Sequence, residues 1–318
     1  MRLIRLKATS IELTRLFNGA KDYAANAKSE STRRAYRTDW ARFTEWCEAC
    51  AVVPLPAEPG VVASYVVHLA EFGRKPSSID RTLVAISQAH KMAGHDSPTA
   101  AAAVRETLKG YKRQVGTAQE QKTPVEVEHL RRMLEVLPDS TIGTRDQALL
   151  LVGFAGGFRR SELVGLDVAD VEFVSKGVVV TLRRSKTDQE GEGRRVGIPF
   201  GKRQETCPVR ALREWIDQAE LADGPLFRAV NKHGNVSPTR LSDRTVARVV
   251  KRTALRAGYD ATRFSGHSLR AGLATSAAQA GKPERVIMAT TGHRSEKMVR
   301  KYIREGSLFS SCASEGLL

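Results

Sequence analysis

The segment GTAQEQKTP at residues 116–124 divides the chain into two regions that each show regular hydrophobic patterning. It is polar, contains glycine and proline, and has no apolar periodicity, as is typical of a linker. A chain of 318 residues is long for one domain and suits two. The sequence therefore predicts one domain over residues 1–115, a linker over 116–124 and a second domain over 125–318.

The first region has the apolar spacing of helices throughout. Between residues 30 and 50, Tyr36, Trp40, Phe43 and Cys47 recur on one helical face. Three more helices are expected: one over 59–72 with Val62, Tyr65, Val66 and Leu69 inward, one from Pro76 to Gly94 with Ser77 or Ser78 as N-cap, and one through 99–114. The first domain is therefore predicted to be an all-helical bundle.

The second region is also mainly helical in its apolar spacing, but the residue pattern changes between residues 170 and 200. The run GVVVTL is rich in β-branched residues, and RRVGIP follows it after the polar segment RSKTDQEGEG. This pattern predicts an antiparallel hairpin with a long basic loop. Helices are expected at 126–137, 143–156, a short stretch within 157–166, 208–219, 243–258, 266–281, 283–292 and 296–305. The fold class predicted is mainly α, with a mixed α+β second domain that contains a small antiparallel sheet.

The charge is strongly positive and is spread over both regions. The net charge is +16, and residues 1–118 carry 18 Lys and Arg against 11 Asp and Glu. The remainder is also basic, so the excess is not confined to one tail. Two basic lobes suit a polyanion held between them, and nucleic acid is favoured over a surface that is basic only for solubility.

The sequence predicts no membrane span and no signal peptide. No run of about 18 apolar residues occurs, and Arg5 and Lys7 interrupt the start of the chain. A cytoplasmic, DNA-associated protein is expected, in which cysteines stay reduced. Cys47 and Cys50 form a CxxC pair, but they lie in a helical pattern without a second ligand pair, so helix packing is favoured over zinc.

Six residues stand out by their chemistry and their order along the chain. They are residues of the kinds that can surround a phosphate group in a protein, namely Arg159, Lys186, His267, Arg270, His293 and Tyr302. His267 and Arg270, three residues apart, share one helix face and can point at one small target. Gly292 is expected to end one helix and Ser295 to cap the next, so that Tyr302 reaches the histidines from a separate element.

Arginines and a lysine around one spot indicate a phosphate, because a guanidinium matches two phosphoryl oxygens and stays charged. Fixed cations stabilise the charge of a phosphorane more than that of the ground state. Tyrosine, whose pKa is ordinarily about 10, can then act as the nucleophile if a base or positive charge lies nearby. No GxxxxGK[ST] loop and no clustered carboxylates accompany these residues, so no cofactor and no metal site are predicted.

The set resembles the tyrosine recombinases, also called the phage integrase family, and in arrangement it is similar to Cre-like members. The motifs are GGFRRSEL with Arg159 and Glu162, RRSKTD with Lys186, the HxxR box of His267 and Arg270, the Gly-His of His293, and MVRKYIR with Tyr302. The first region is also similar, through STRRAYRTDWARFTEWC and KPSSIDRTLVAISQAHKMAG. The resemblance covers nearly the whole chain.

The resemblance implies a site-specific recombinase that cleaves and rejoins DNA through a 3′-phosphotyrosyl bond. Tyr302 would be the nucleophile, Arg159 and Arg270 would hold the non-bridging oxygens, and His293 would add a hydrogen bond. His267 would be the general base and Lys186 the general acid, while Glu162 would position its neighbours. The chemistry implied requires neither metal nor ATP.

The resemblance also implies a C-shaped clamp on double-stranded DNA, with a helical core-binding domain and a homotetramer on two duplexes. The residues expected to contact DNA in the first domain are Arg33, Arg34, Arg37, Arg81 and Lys91. The tail after Tyr302 carries Leu308, Phe309, Leu317 and Leu318, and we expect it to dock on a neighbouring subunit.

Other interpretations remain open from the sequence alone. His267 can be a core or capping residue, and Tyr302 can be a packing residue beside Met298 and Val299. Lys186 is the least specific, since Lys176 and Lys202 also flank the two strands. The alternative functions are a type IB topoisomerase-like DNA relaxing enzyme and a non-catalytic, sequence-specific DNA-binding regulator. The target site and the biological outcome of recombination are not encoded in these motifs.

Overall fold

The computed structural model describes residues 28–117, 121–183, 193–293 and 295–306, with positions 15, 16, 19 and 23 and without the side chains at 301 and 303–306. The chain divides into two compact units, Met1–Glu120 and Gln121–Leu318. Lys186, Cys312 and the apolar tail after residue 306 lie outside the described residues. The predicted limits of domains and linker stay predictions, although the division falls inside the segment that we expected to be a linker.

The first unit is helical, as predicted, over its described part. Its helices are α1 (Glu30–Ala49), α2 (Pro59–Glu71), α3 (Pro76–Met92) and α4 (Ala102–Val115), with a short 3₁₀ helix at Pro98–Ala100. The side chains that pack between them include Phe43, Cys47, Tyr65, Ile79 and Ile86. Phe43, Cys47 and Tyr65 belong to the apolar stripes that the helical spacing identified in α1 and α2. No inward residues were predicted for α3.

The start of α3 corrects one prediction. Neither Ser77 nor Ser78 caps it, because Pro76 is the first helical residue and Lys75 holds the capping position. A proline suits that position, since its missing N–H would have no partner within the helix and its φ is already helical. Cys47 is fully buried in the core of this unit, where burial raises the pKa of its thiol to about 11. Cys47 is therefore a packing residue, as expected.

The second unit combines helices with two small antiparallel sheets. Its helices are α5 (Val127–Glu135), α6 (Thr141–Ala155), α7 (Arg160–Gly165), α8 (Pro208–Gln218), α9 (Asp243–Arg256), α10 (Ser268–Gln279), α11 (Glu284–Thr291) and α12 (Glu296–Gly306). Its strands are β1 (Val171–Val174), β2 (Gly177–Leu182), β3 (Arg194–Pro199), β4 (Arg228–Val230) and β5 (Val236–Arg240). The predicted mainly helical class with a small antiparallel sheet is confirmed.

The sheet β1-β2-β3 contains the predicted hairpin and one strand more. β2 pairs with β3 so that Val178 lies opposite Ile198 and Val180 opposite Val196. All four of these side chains are buried, which anchors the hairpin to the core of the unit. We did not predict β1 or the pair β4-β5, because short strands of three to five residues carry too few alternating positions to show a period.

The three helices at the end of the chain form a cluster of their own. Ala271 and Ala274 of α10 pack against Ile287 of α11 and Val299 of α12. Small residues on α10 let the neighbouring helices approach closely, as the run of alanines suggests. Within the described residues, no helix is both long and apolar enough to cross a membrane.

Candidate active site

The hydroxyl of Tyr302 lies 2.9 Å from Nε2 of His267. His267 is the residue that immediately precedes α10, whereas Tyr302 lies two turns into α12. The tyrosine ring is buried in the cluster of α10, α11 and α12 with only 7% of its surface exposed. The ring of Tyr302 thus packs in the core while its hydroxyl lies at hydrogen-bond distance from His267, so packing does not exclude a role in the site.

Gly292 separates the two elements that bring His293 and Tyr302 together. It ends α11 in the left-handed conformation with φ of 66°, as its position predicted. A Cβ at this position would also lie 2.7 Å from the guanidinium carbon of Arg194. The turn therefore needs glycine both for its backbone angle and for the close approach of an arginine.

Arg270 is buried beside this pair, with 1% of its surface exposed. Its Nη1 donates to the carbonyl oxygen of Gly157 at 2.7 Å and to that of Thr291. Its Nη2 is buried as well and has no hydrogen-bond partner among the described residues. Burial, followed by the neighbouring charge of Arg159, lowers the pKa of Arg270 to about 10. The guanidinium remains charged at neutral pH, and its unmatched nitrogen suits an anionic ligand.

Glu162 is buried and holds Arg159. Its carboxylate accepts a hydrogen bond from the backbone N–H of Arg159 at 2.9 Å and another from the Arg159 side chain. The first bond is made possible by the position of Arg159 at the start of α7, where an N–H has no partner in the helix. Glu162 thus lies where the sequence predicted a supporting residue, and it restrains both the backbone and the side chain of Arg159.

Arg194 is part of this group, and sequence reasoning missed it. Its Nη2 lies 3.6 Å from the carboxylate of Glu162, and its Nη1 donates to the carbonyl oxygens of Thr290 at 2.5 Å and Ala289 at 3.2 Å. Burial lowers the pKa of Arg194. This side chain joins the first residue of β3 to the end of α11, the segment that carries His293.

The available signal for Arg194 was the strand alternation of RRVGIP. The next residue, Arg195, points to solvent and pairs with Glu172, whereas Arg194 is half-buried. Successive residues of a strand face opposite sides, so only one of two adjacent arginines can face the site. The sequence did not show which one, because the pairing register was unknown.

Hydrogen bonds also determine the tautomer of His293. Its Nδ1 lies 2.7 Å from the hydroxyl oxygen of Thr291, and that hydroxyl donates to the carbonyl of Ile287 at 2.6 Å. The hydroxyl has one proton and gives it to Ile287, so Nδ1 must be the donor to Thr291. Burial first, and then Arg270 and other positive neighbours, lower the pKa of His293 to about 3. In the structure described, without DNA, His293 is neutral and its Nε2 is an acceptor.

The same cations act on His267. Burial is the largest cause, and the charges of Arg270, Arg159 and Arg160 add to it, so the pKa of His267 is lowered from its ordinary value. The imidazole is consequently unprotonated at neutral pH. A neutral histidine at hydrogen-bond distance from a phenol can accept the phenol proton.

The remaining candidates lie elsewhere. In the first unit, Arg34 pairs with Glu30, Arg81 pairs with Asp39, Arg37 and Lys91 are exposed, and Arg33 is half-buried. Tyr259, another tyrosine of the second unit, packs edge-on against His129 with ring centroids 4.9 Å apart. The described structure thus brings together Arg159, Glu162, His267, Arg270, His293 and Tyr302, while Lys186 lies outside it.

A family model described as "Phage integrase family" matches residues 123–307, which is more than half of the chain. The integrase/recombinase xerD homologue of Selenomonas ruminantium is 39% identical over 303 residues, or 94% of this chain and 89% of that protein. The recombinase Cre of Escherichia phage P1 is 24% identical over 298 residues, or 87% of this chain and 85% of Cre. The chain belongs to the phage integrase family, and the predicted class, a tyrosine recombinase, is confirmed.

Solved structures with the same fold are also found. The XerH recombinase in a post-cleavage complex matches with a TM-score of 0.60 and 19% identity, covering 82% of this chain and 72% of that one. A lambda integrase dimer bound to a core site matches with a TM-score of 0.60 and 16% identity, covering 91% and 93%. At these identities the likeness establishes the fold alone.

Proposed function

We propose that this tyrosine recombinase cleaves and rejoins DNA at specific sites, with Tyr302 as the nucleophile. The observation that carries the proposal is the 2.9 Å contact between the Tyr302 hydroxyl and His267 beside the buried guanidinium of Arg270. The phenol oxygen attacks the backbone phosphorus and gives its proton to Nε2 of His267. A 3′-phosphotyrosyl bond forms, and the bond from phosphorus to the 5′-oxygen breaks.

The departing 5′-oxygen takes a proton and becomes a hydroxyl. Lys186, which lies between β2 and β3 in the sequence, is our candidate for the donor. In the reverse direction, a 5′-hydroxyl from a partner duplex attacks the phosphotyrosine and releases the tyrosine. The phosphodiester energy is kept in the covalent intermediate, so the two steps together need no nucleotide cofactor.

The arginines supply the charge that the phosphorane requires. Three guanidinium groups, those of Arg159, Arg194 and Arg270, lie close to the carboxylate of Glu162, so this group of described residues carries an excess of positive charge. These cations are fixed by the fold before DNA arrives, and no reorganisation is needed as the phosphorane forms. The unmatched Nη2 of Arg270 is suited to one non-bridging oxygen, and Arg159 to the other.

His293 must change its protonation state before it can add the hydrogen bond that we expect from it. As a neutral imidazole with its proton on Nδ1, it cannot donate to a phosphoryl oxygen through Nε2. The anionic phosphate, however, favours the imidazolium, because a negative charge nearby raises a histidine pKa. We propose that His293 gains its second proton only with DNA in the site and then donates through Nε2.

Recombination joins strands from two duplexes, so the enzyme must act as an assembly. We propose a homotetramer on two duplexes, in which the two basic units of each subunit close on DNA as a C-shaped clamp. The high net charge of +16 supports association with double-stranded DNA, and we propose that this takes place in the cytoplasm. Removing residues 306–318 tests the role of the tail, because it should spare binding to a single site and weaken tetramer formation.

Covalent trapping tests the proposed function. In a duplex nicked just beyond the cleavage point, attack releases the short fragment that carries the new 5′-hydroxyl, and this fragment diffuses away. The protein stays attached to the 3′-phosphate and shifts on a denaturing gel. We expect the adduct with the wild type and none with Tyr302→Phe, which keeps the buried ring. Tyr259→Phe is the matched control and should keep the adduct. An adduct that persists in Tyr302→Phe and disappears in Tyr259→Phe would overturn the assignment.

A further inference from the structure

A second arginine and carboxylate pair lies in the first unit, far along the sequence from the active-site motifs. Asp39 of α1 is buried with 3% of its side chain exposed, and Arg81 of α3 donates to it twice. The distances are 2.7 Å from Nε to Oδ2 and 3.1 Å from Nη2 to Oδ1. Arg81 itself keeps 48% of its side chain exposed. A buried acid therefore holds an arginine that remains accessible at the surface.

The two bonds determine what Arg81 still offers. A guanidinium is planar and has two edges that can each make a pair of parallel hydrogen bonds. Asp39 takes the edge formed by Nε and Nη2. The edge formed by Nη1 and the second proton of Nη2 remains, and in the part of the chain that the structure describes Nη1 has no hydrogen-bond partner. Arg81 is thus oriented to bind two acceptors side by side.

Nearby arginines indicate which acceptors these are. Arg42, Arg74, Tyr65 and Ser78 line a cavity of about 70 Å³ beside the pair. Neither Arg42 nor Arg74 makes an ion pair with a described residue. They keep their full charge for phosphates, whereas the charge of Arg81 is balanced by Asp39. An oriented but charge-balanced guanidinium gains little from a phosphate, since the nearby carboxylate repels it, and is suited to a neutral pair of acceptors.

We propose that Arg81 reads a guanine through the two acceptors O6 and N7 at the edge of the base in the major groove, and that Asp39 is its positioning residue. Guanine presents these two acceptors side by side, and a helix such as α3 fits in the major groove. The inference rests on the proposed function, because it assumes that the enzyme acts on particular DNA sites.

The buried acid has a physical purpose in this arrangement. A free arginine side chain loses rotational freedom when it makes two bonds to a base, and that loss weakens binding. Asp39 has already restricted Arg81 in the folded protein. The pair therefore increases discrimination between bases without adding net charge, which would strengthen binding to every sequence alike.

Selection from a pool of randomised DNA duplexes, followed by affinity measurements on the selected site, tests the proposal. For the wild type we expect one or more guanines that are required in the site. With Arg81→Ala or Arg81→Lys that requirement should disappear, and affinity for the selected duplex should fall by about 5- to 150-fold. Lysine keeps the charge, so Arg81→Lys should leave binding to unrelated duplexes unchanged.

Two further variants separate the roles. Asp39→Asn removes a negative charge, so it should strengthen binding to unrelated duplexes while weakening the preference for guanine, a combination that mere loss of structure would not produce. Arg74→Ala is the matched control: it should weaken binding to all duplexes, reduce the slope of log affinity against log salt by about 0.9, and leave the selected sequence unchanged. Thermal unfolding checks that each variant is folded. If Asp39→Asn does not fold, Arg81→Lys still tests the proposal, because its substitution lies at an exposed position.

The contrary results are distinct. If Arg81→Ala selects the same sequence as the wild type and weakens all duplexes equally, Arg81 contacts a phosphate and the inference is wrong. If the wild type selects no sequence but still forms the Tyr302 adduct, site specificity does not lie in this unit and the inference is also wrong. If the wild type selects a site but forms no adduct there, the proposed function fails while the guanine contact stands.

Discussion

The two units use a buried carboxylate to hold arginines in opposite ways. In the first unit, Asp39 holds the half-exposed Arg81, with 48% of that side chain accessible. In the second unit, Glu162 holds Arg159 and Arg194, whose side chains are only 18% and 21% exposed. Asp39 thus orients a single arginine at the surface, whereas Glu162 holds two less exposed arginines near Tyr302.

This difference in exposure shows how the same arginine and carboxylate pairing can serve either recognition or catalysis. A charge-balanced arginine at a surface makes directional hydrogen bonds and adds little to the overall electrostatic attraction. Several arginines that outnumber their acid create a local positive field where water is largely excluded, and such a field acts strongly on a developing negative charge. Arg81 variants should therefore change where the enzyme acts, and active-site variants how fast it acts.

Among the arginine substitutions, the largest effect on rate is expected for Arg270→Lys. Lysine keeps the charge but cannot bond to both Gly157 and a phosphoryl oxygen from one planar group. Cleavage at saturating DNA should slow by about 10²–10³, with little change in affinity. Single-turnover trapping of the adduct measures the rate. A near-normal rate would show that this arginine is an ordinary structural contact and would remove the contrast with Arg81.

Glu162→Gln should destabilise the second unit by about 3 kcal/mol, because it leaves partly buried arginines without their counter-charge. Asp39→Asn should lower the free energy of unfolding of the first unit by a smaller amount, since the side chain of Arg81 can turn towards water. Urea unfolding followed separately in the two units compares them. An equal loss for both substitutions would mean that the recess around Glu162 is no less hydrated than the surface around Asp39.

Arg194→Gln should slow cleavage by about tenfold, a smaller effect than that of Arg270→Lys. The substitution removes the bonds to the carbonyls of Ala289 and Thr290 and so loosens the segment before His293. Arg195→Gln, on the exposed side of the same strand, is the control and should stay within about twofold of the wild type at saturating DNA. Equal effects of the two substitutions would exclude a positioning role for Arg194.

The smallest effect concerns acid stability. His267 and His293 resist protonation in the folded protein, with lowered pKa values, whereas an unfolded histidine takes up its proton near pH 6.5. The unfolded state thus binds more protons below that pH, and the free energy of unfolding falls as the pH drops from about 6.5 towards 3. His293→Asn should reduce this slope in urea titrations relative to the wild type. An unchanged slope would contradict the burial of His293.

Much of this site could be predicted from the sequence because its parts are set by local rules. His267 and Arg270 belong to one helix start, and Gly292 ends α11 through its backbone conformation. Those rules predicted that Tyr302 would come from a separate helix. The apolar stripes likewise predicted which faces the helices bury.

The rest depended on distant contacts that no local pattern reveals. Arg194 acts through the register of β3 against β2 and through carbonyls almost a hundred residues later. Asp39 lies in a helix among polar neighbours, and only the crossing of α1 and α3 makes it a buried acid. The tautomer of His293 follows from a hydroxyl that bonds back into α11, which spacing alone does not indicate.

The central claim is that the buried arginines act on the charge of the scissile phosphate. Its direct test is cleavage of a duplex whose scissile phosphate is replaced by an uncharged methylphosphonate, with the wild type and with Arg270→Met. On the natural phosphate, Arg270→Met should slow adduct formation by at least about 10². On the methylphosphonate, which has less charge to stabilise, the same substitution should slow it by less than about tenfold. An equal loss on both substrates would contradict the account and assign Arg270 a purely structural role.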